Sequence, residues 1–208
     1  MISPRPTSRV LSRGDTASFW FFVVAGVAIA IWAVVRSIAN IVAAVPNQNV
    51  RVAAPFLDTV VQAPLGPDGA PVPVELTGGV ITAPSLPPAS LGALFIAEGL
   101  FAAVVVTVVA LLLLLTADIL RGRIFSRRNT GLVSAAGIVT LVGVAGVPFF
   151  QNMIANGAIA WLSDRTYDRG DVQLIDLPSL IGVAFVAGLA GTVFAVGDRL
   201  QRDTDGLV

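Results

Sequence analysis

Four arginines, Arg121, Arg123, Arg127 and Arg128, crowd the stretch LRGRIFSRRNTGLV between two long runs that carry almost no charge. Guanidinium groups at that density could grip phosphate, whether of a nucleic acid, a small ligand or a lipid headgroup. Two more charges, Arg36 and Glu98, stand at the ends of uncharged runs, and Asp164, Asp168, Asp171 and Asp176 gather further on. Carboxylates so grouped could hold calcium, but their spacing does not match an EF-hand loop and Arg165 and Arg169 offset their charge, so a solvated face is expected. The chain has neither histidine nor cysteine, which removes the commonest general base and the imidazole and thiolate metal ligands. It also lacks a Gly-x-Ser-x-Gly elbow, a zinc-protease helix motif and a phosphate-binding glycine loop. No catalytic, cofactor-binding or metal-ligating residue is assigned, and the chain is read as non-enzymatic. Phe19, Trp20 and Trp161 fit interfacial anchors better than a heme or quinone pocket.

The elements that position these charges follow from composition. Of the 208 residues 55% are hydrophobic and 12% charged, whereas about a quarter of a soluble domain is charged. Lipid is therefore the expected solvent. About twenty apolar residues in a helix cross the hydrocarbon of a bilayer. Thr16 to Val35, Gly99 to Ala117, Leu132 to about Ile154, and Leu177 to Gly197 all meet that requirement. The first run exceeds the apolar stretch of a cleaved signal peptide and is read as a retained anchor.

Arginine placement sets the orientation. Arg5, Arg9 and Arg13 precede the first span, the cluster of four separates the second from the third, and Arg199 and Arg202 follow the fourth; only Arg51, Arg165 and Arg169 fall in the opposite loops. A bacterial plasma-membrane protein with both termini cytoplasmic is expected. The cluster then serves as a topology signal that also meets anionic lipid headgroups, with Ser126 or Asn129 capping the third helix. With a formal net charge of zero, no nucleic-acid partner is expected.

The expected fold is an all-α transmembrane four-helix bundle with a small extracytoplasmic β-hairpin or meander. Its parts are a cytoplasmic N-terminus (1–15), helix 1 with an outer extension (16–45), a β-rich loop (46–90), helix 2 (91–120), the basic loop (121–129), helix 3 with an outer extension (130–162), a second outer loop (163–176), helix 4 (177–197) and a cytoplasmic tail (198–208). In the β-rich loop NVRVA, DTVVQA, VPVEL and GVITA alternate like strands and LGPDGAP has turn chemistry. So small an element must pack on something; the second outer segment, where DVQLIDL could add a strand, and the ends of helices 1 and 3 are the candidates. Arg36 and Glu98 reach the same boundary and are expected to pair, since an isolated charge there is costly. On the other face, Arg127 or Arg128 is expected to contact Asp203 or Asp205. Two rows of small residues on helix 4, Ala184–Gly188–Thr192 and Ala187–Gly191–Ala195, invite close helix packing or a homo-oligomer contact.

GRIFSRRNTGLV, with Gly122, Phe125, Ser126 and Asn129, and the ending VFAVGDRLQRDTDGLV, with Gly197, Leu200, Asp203, Asp205, Leu207 and Val208, resemble the bacterial membrane proteins grouped as domain of unknown function 2975. The resemblance implies four spans and a possible regulatory role, because members are often encoded beside helix-turn-helix regulators; it supplies no catalytic residue. The chain is thus read as a partner-binding protein of signalling, regulation or envelope maintenance, with a subunit of a transporter or channel as the alternative.

Overall fold

The computed structural model describes residues 13–167 and 176–205, without the side chains of 13–18, 57, 58, 204 and 205. Arg5, Arg9, Asp168, Arg169, Asp171, Leu207, Val208, most of DVQLIDL and the side chain of Asp205 lie outside the described residues. Among the described residues four helices are long and apolar enough to cross a membrane: α1 (Arg13–Ala44), α2 (Pro88–Leu120), α3 (Arg127–Leu162) and α4 (Leu177–Asp205). This is the architecture of a multi-pass membrane protein. Two strands, β1 (Val50–Ala63) and β2 (Val72–Ala83), form an antiparallel hairpin between α1 and α2.

Each helix outruns its apolar segment. The 36 residues of α3 measure about 54 Å at 1.5 Å per residue, well beyond the roughly 30 Å of bilayer hydrocarbon. The surplus lies partly on the hairpin side, in the last turns of α3 and the first turns of α2. There the hairpin packs on them. Val50, Val52 and Ala54, alternate residues of β1, form one buried cluster with Ala93 and Ala97 of α2 and Ile154, Ala155, Ala158 and Ile159 of α3. The expected support from α3 is present; the share taken by α2 was not anticipated. Along the spans, by contrast, large apolar side chains such as Phe21, Ile31, Phe185 and Val186 stand exposed, as a lipid solvent requires.

The four strand-like pieces merge into two long strands. β1 carries residues 56–58 opposite Thr77 alone, a bulge that begins where Pro55 cannot donate to the ladder. Phe56, in that bulge, meets the Tyr167 ring edge-on at 6.5 Å, and the Tyr167 hydroxyl lies 2.9 Å from Thr59 Oγ1. Tyr167, in the segment after α3, therefore braces the hairpin, as expected of that segment. At the base, the Asn47 side chain acts as a peptide mimic: it donates to the Leu86 carbonyl at 3.0 Å and accepts from the Leu86 amide at 2.8 Å.

Glycine sets the helix spacing. A methyl group built on Gly157 would lie 1.8 Å from Ser90 Oγ, and one on Gly143 would lie 2.7 Å from Val104, so side chains of α2 rest directly on the backbone of α3. Gly137 receives Ala187 of α4 in the same manner. Of the two small-residue rows on α4, Ala187–Gly191–Ala195 is the packed one, while Ala184, Gly188 and Thr192 are exposed. Packing follows chain order, α1 on α2, α2 on α3 and α3 on α4. The expected bundle is an open row, with α1 and α4 at its two ends. α4 continues past Gly197 to Asp205.

Candidate functional site

The turn from α2 to α3 holds the arginine cluster, and local chemistry specifies almost every residue in it. Gly122 adopts a φ of +78°, which lets its amide bond the Ile119 carbonyl at 2.9 Å while the Arg123 amide reaches the Asp118 carbonyl at 3.0 Å. This pair of bonds closes α2 with a Schellman turn, and the left-handed backbone explains the glycine. Ser126 opens α3 in extended backbone and its hydroxyl accepts from the Asn129 amide at 3.2 Å. Ser126, of the two expected candidates, is the cap.

Asn129 has a different task. Fully buried, it donates through Nδ2 to the carbonyls of Arg123 and Ile124, the latter at 3.0 Å, and so ties the turn to the first coil of α3. Beneath it lies Asp118, 1% exposed, with Arg128 Nη1 2.9 Å from one carboxylate oxygen and 3.0 Å from the other. Arg121 approaches the same carboxylate at 3.8 Å. Asp118 was not foreseen as a site residue. Its signal in the sequence is a lone acid at the end of an apolar helix followed within a short turn by arginines.

The expected link from Arg127 or Arg128 to the tail is not formed through Asp203. Arg128 is engaged by the buried Asp118, and on α4 Arg202 bonds Asp198 at 2.7 Å one helical turn away. Asp203 is exposed. The two motifs nevertheless meet: a methyl group on Gly197 would fall 2.2 Å from the Phe125 ring, which also stands edge-on to Phe194 at 5.8 Å. Phe125, Gly197 and Leu200 line one shallow apolar hollow. Arg123 and Arg127 are left exposed, making no ion pair among the described residues. The turn is closed by backbone and side-chain hydrogen bonds and leaves the Arg123 and Arg127 side chains exposed.

A second site lies on the hairpin side. A half-enclosed cleft of about 680 Å³ runs between β1, β2 and helices α1 to α3, and Arg36, Arg51, Glu98, Phe101, Pro148 and Gln151 are among its lining residues. Arg36 and Glu98 do share this cleft, but they form no ion pair within 4.0 Å. The Arg36 guanidinium sits 4.7 Å above the Phe101 ring and 5.8 Å from that of Trp32, an attraction that holds a cation without a carboxylate. Glu98 instead accepts from Asn40 Nδ2 at 2.8 Å through Oε1, and its Oε2 is buried with no donor. Asp176, expected on a solvated face, caps α4 by accepting from Ser179, amide and hydroxyl alike.

Comparison of the chain with family models, with curated proteins and with solved structures returns no match.

Proposed function

We propose that this chain is a non-enzymatic integral protein of a bacterial plasma membrane that acts by binding a protein partner, in signalling, regulation or envelope maintenance. Membership of the domain of unknown function 2975 group is part of that reading, on the likeness of the two motifs. With both termini cytoplasmic, the arginine turn faces inward to anionic headgroups and the hairpin outward. A second copy of the chain is one candidate partner.

The observation that carries partner binding is the distal hairpin. Its base buries Val50 and Val52, yet towards the turn Val60 is 64% exposed and Leu65 is 71% exposed. Apolar groups held out to solvent near the tip of the hairpin form a surface suited to docking by another chain. Against the transporter reading, Thr140 and Thr192 satisfy their hydroxyls on carbonyls of their own helices, which leaves little polar lining for a path through the row.

A photocrosslinking residue at Val60 in living cells is expected to capture one defined protein, while the same residue at Val80 beside the base captures less. Adducts with lipid alone from Val60 would reject the docking surface.

A further inference from the structure

The cleft beneath the hairpin has a polarity that the apolar docking surface does not explain. Arg36 closes the uncharged run of α1, so its charge stands at the edge of the hydrocarbon, oriented by two rings and neutralised by no carboxylate among the described residues. Arg51, from β1, lines the same cleft. Opposite them Glu98 keeps one oxygen on Asn40 and leaves the other buried without a donor. A cleft with two cations and one unsatisfied carboxylate oxygen asks for a ligand that brings an anion and an N–H donor together. Its lower wall, with Leu94, Phe101 and Val147, is apolar. The size falls within the range of small-molecule sites.

We infer that the cleft binds the headgroup of a phospholipid from the leaflet on the hairpin side, one whose phosphate is esterified to an alcohol that carries a free primary amine, as in phosphatidylethanolamine. The phosphate meets Arg36 and Arg51, the ammonium donates to Glu98 Oε2, and the glycerol end lies against Phe101 and Val147 with the acyl chains running down beside the helices. A soluble phosphate ester of an amino alcohol offers the same polar groups. The apolar wall and the position at the end of the spans select the lipid form. The site is independent of the protein partner proposed for the distal hairpin.

Native mass spectrometry of the full chain in detergent, titrated with dioleoyl phosphatidylethanolamine, phosphatidylcholine or phosphatidylglycerol, tests this directly. Phosphatidylethanolamine should be retained at least about tenfold better than phosphatidylcholine, whose quaternary amine has no N–H to give, a difference of about 1.4 kcal/mol. Glu98→Gln should remove that preference and leave phosphatidylglycerol unchanged; Arg51→Ala, on the exposed edge of the cleft, should weaken all three. Equal retention of the ethanolamine and choline lipids by the unaltered protein overturns the proposal, however the variants fold. Soluble O-phosphoethanolamine binding as tightly as the diacyl lipid overturns the lipid assignment.

Discussion

At the turn between α2 and α3, Asp118 and Asn129 are buried for opposite electrostatic reasons. Asp118 needs a cation and has Arg128, whereas Asn129 must donate to two carbonyl oxygens and therefore needs an amide nitrogen. Asn129→Asp should consequently destabilise the protein more than Asn129→Ala, despite the closer match of shape, because the new carboxylate would face the carbonyls of Arg123 and Ile124. Thermal unfolding in detergent, followed by fluorescence of Trp20, Trp32 and Trp161, reads the order. The Asp118–Arg128 pair should show a coupling of about 1–2 kcal/mol in a double-mutant cycle, less than a fully buried pair gives, since the Arg128 side chain is 53% exposed. Ser126 as a cap was legible because its place before an apolar run is a local signal. The partner of Arg128 was not: a charge in sequence shows no direction, and only the Schellman turn at Gly122 brings α3 back onto Asp118. Arg36 was misjudged for a similar reason, as its rings at Trp32 and Phe101 lie on two helices.

Among the helices, spacing rests on glycine. Gly157→Ala should lower the unfolding midpoint markedly, because the added methyl meets Ser90 Oγ; Ser90→Ala in the same chain should restore part of the loss by removing the obstructing hydroxyl. Gly188→Ala meets nothing within 4 Å and should be neutral, or stabilise by up to about 1 kcal/mol through helix propensity. The sequence offered two equivalent small-residue rows on α4, and the choice between them depends on the rotation of α4 against Gly137, which no local pattern records. The hairpin was legible in its pieces, since period-2 alternation survives on either side of the bulge. Pro55 and residues 56–58 break that alternation, which is why one strand read as two.

Across the whole molecule, burial is divided between two solvents. The densest apolar cluster lies where the hairpin covers the first turns of α2 and the last turns of α3, and apolar burial drives its formation; along the spans the helices pack through glycine and leave their large side chains exposed. Deleting residues 50–83 and joining the helices by a short linker should therefore expose Ala93, Ala97 and Ile154 and reduce solubility in mild detergent, while the four spans still insert, as membrane fractionation would register. Length, apolarity and span number were legible because the bilayer imposes them on composition; the open order of the helices was not, since every span is apolar all round. The central claim is that the hairpin and the arginine turn face opposite sides of a membrane, with the arginines inside. The chain contains no cysteine, so a single Asp68→Cys at the hairpin turn or Arg127→Cys at the arginine turn gives a clean reporter for a membrane-impermeant maleimide on intact cells. The account predicts labelling at position 68 and protection at 127 until the cells are lysed; labelling at 127 in intact cells would contradict it.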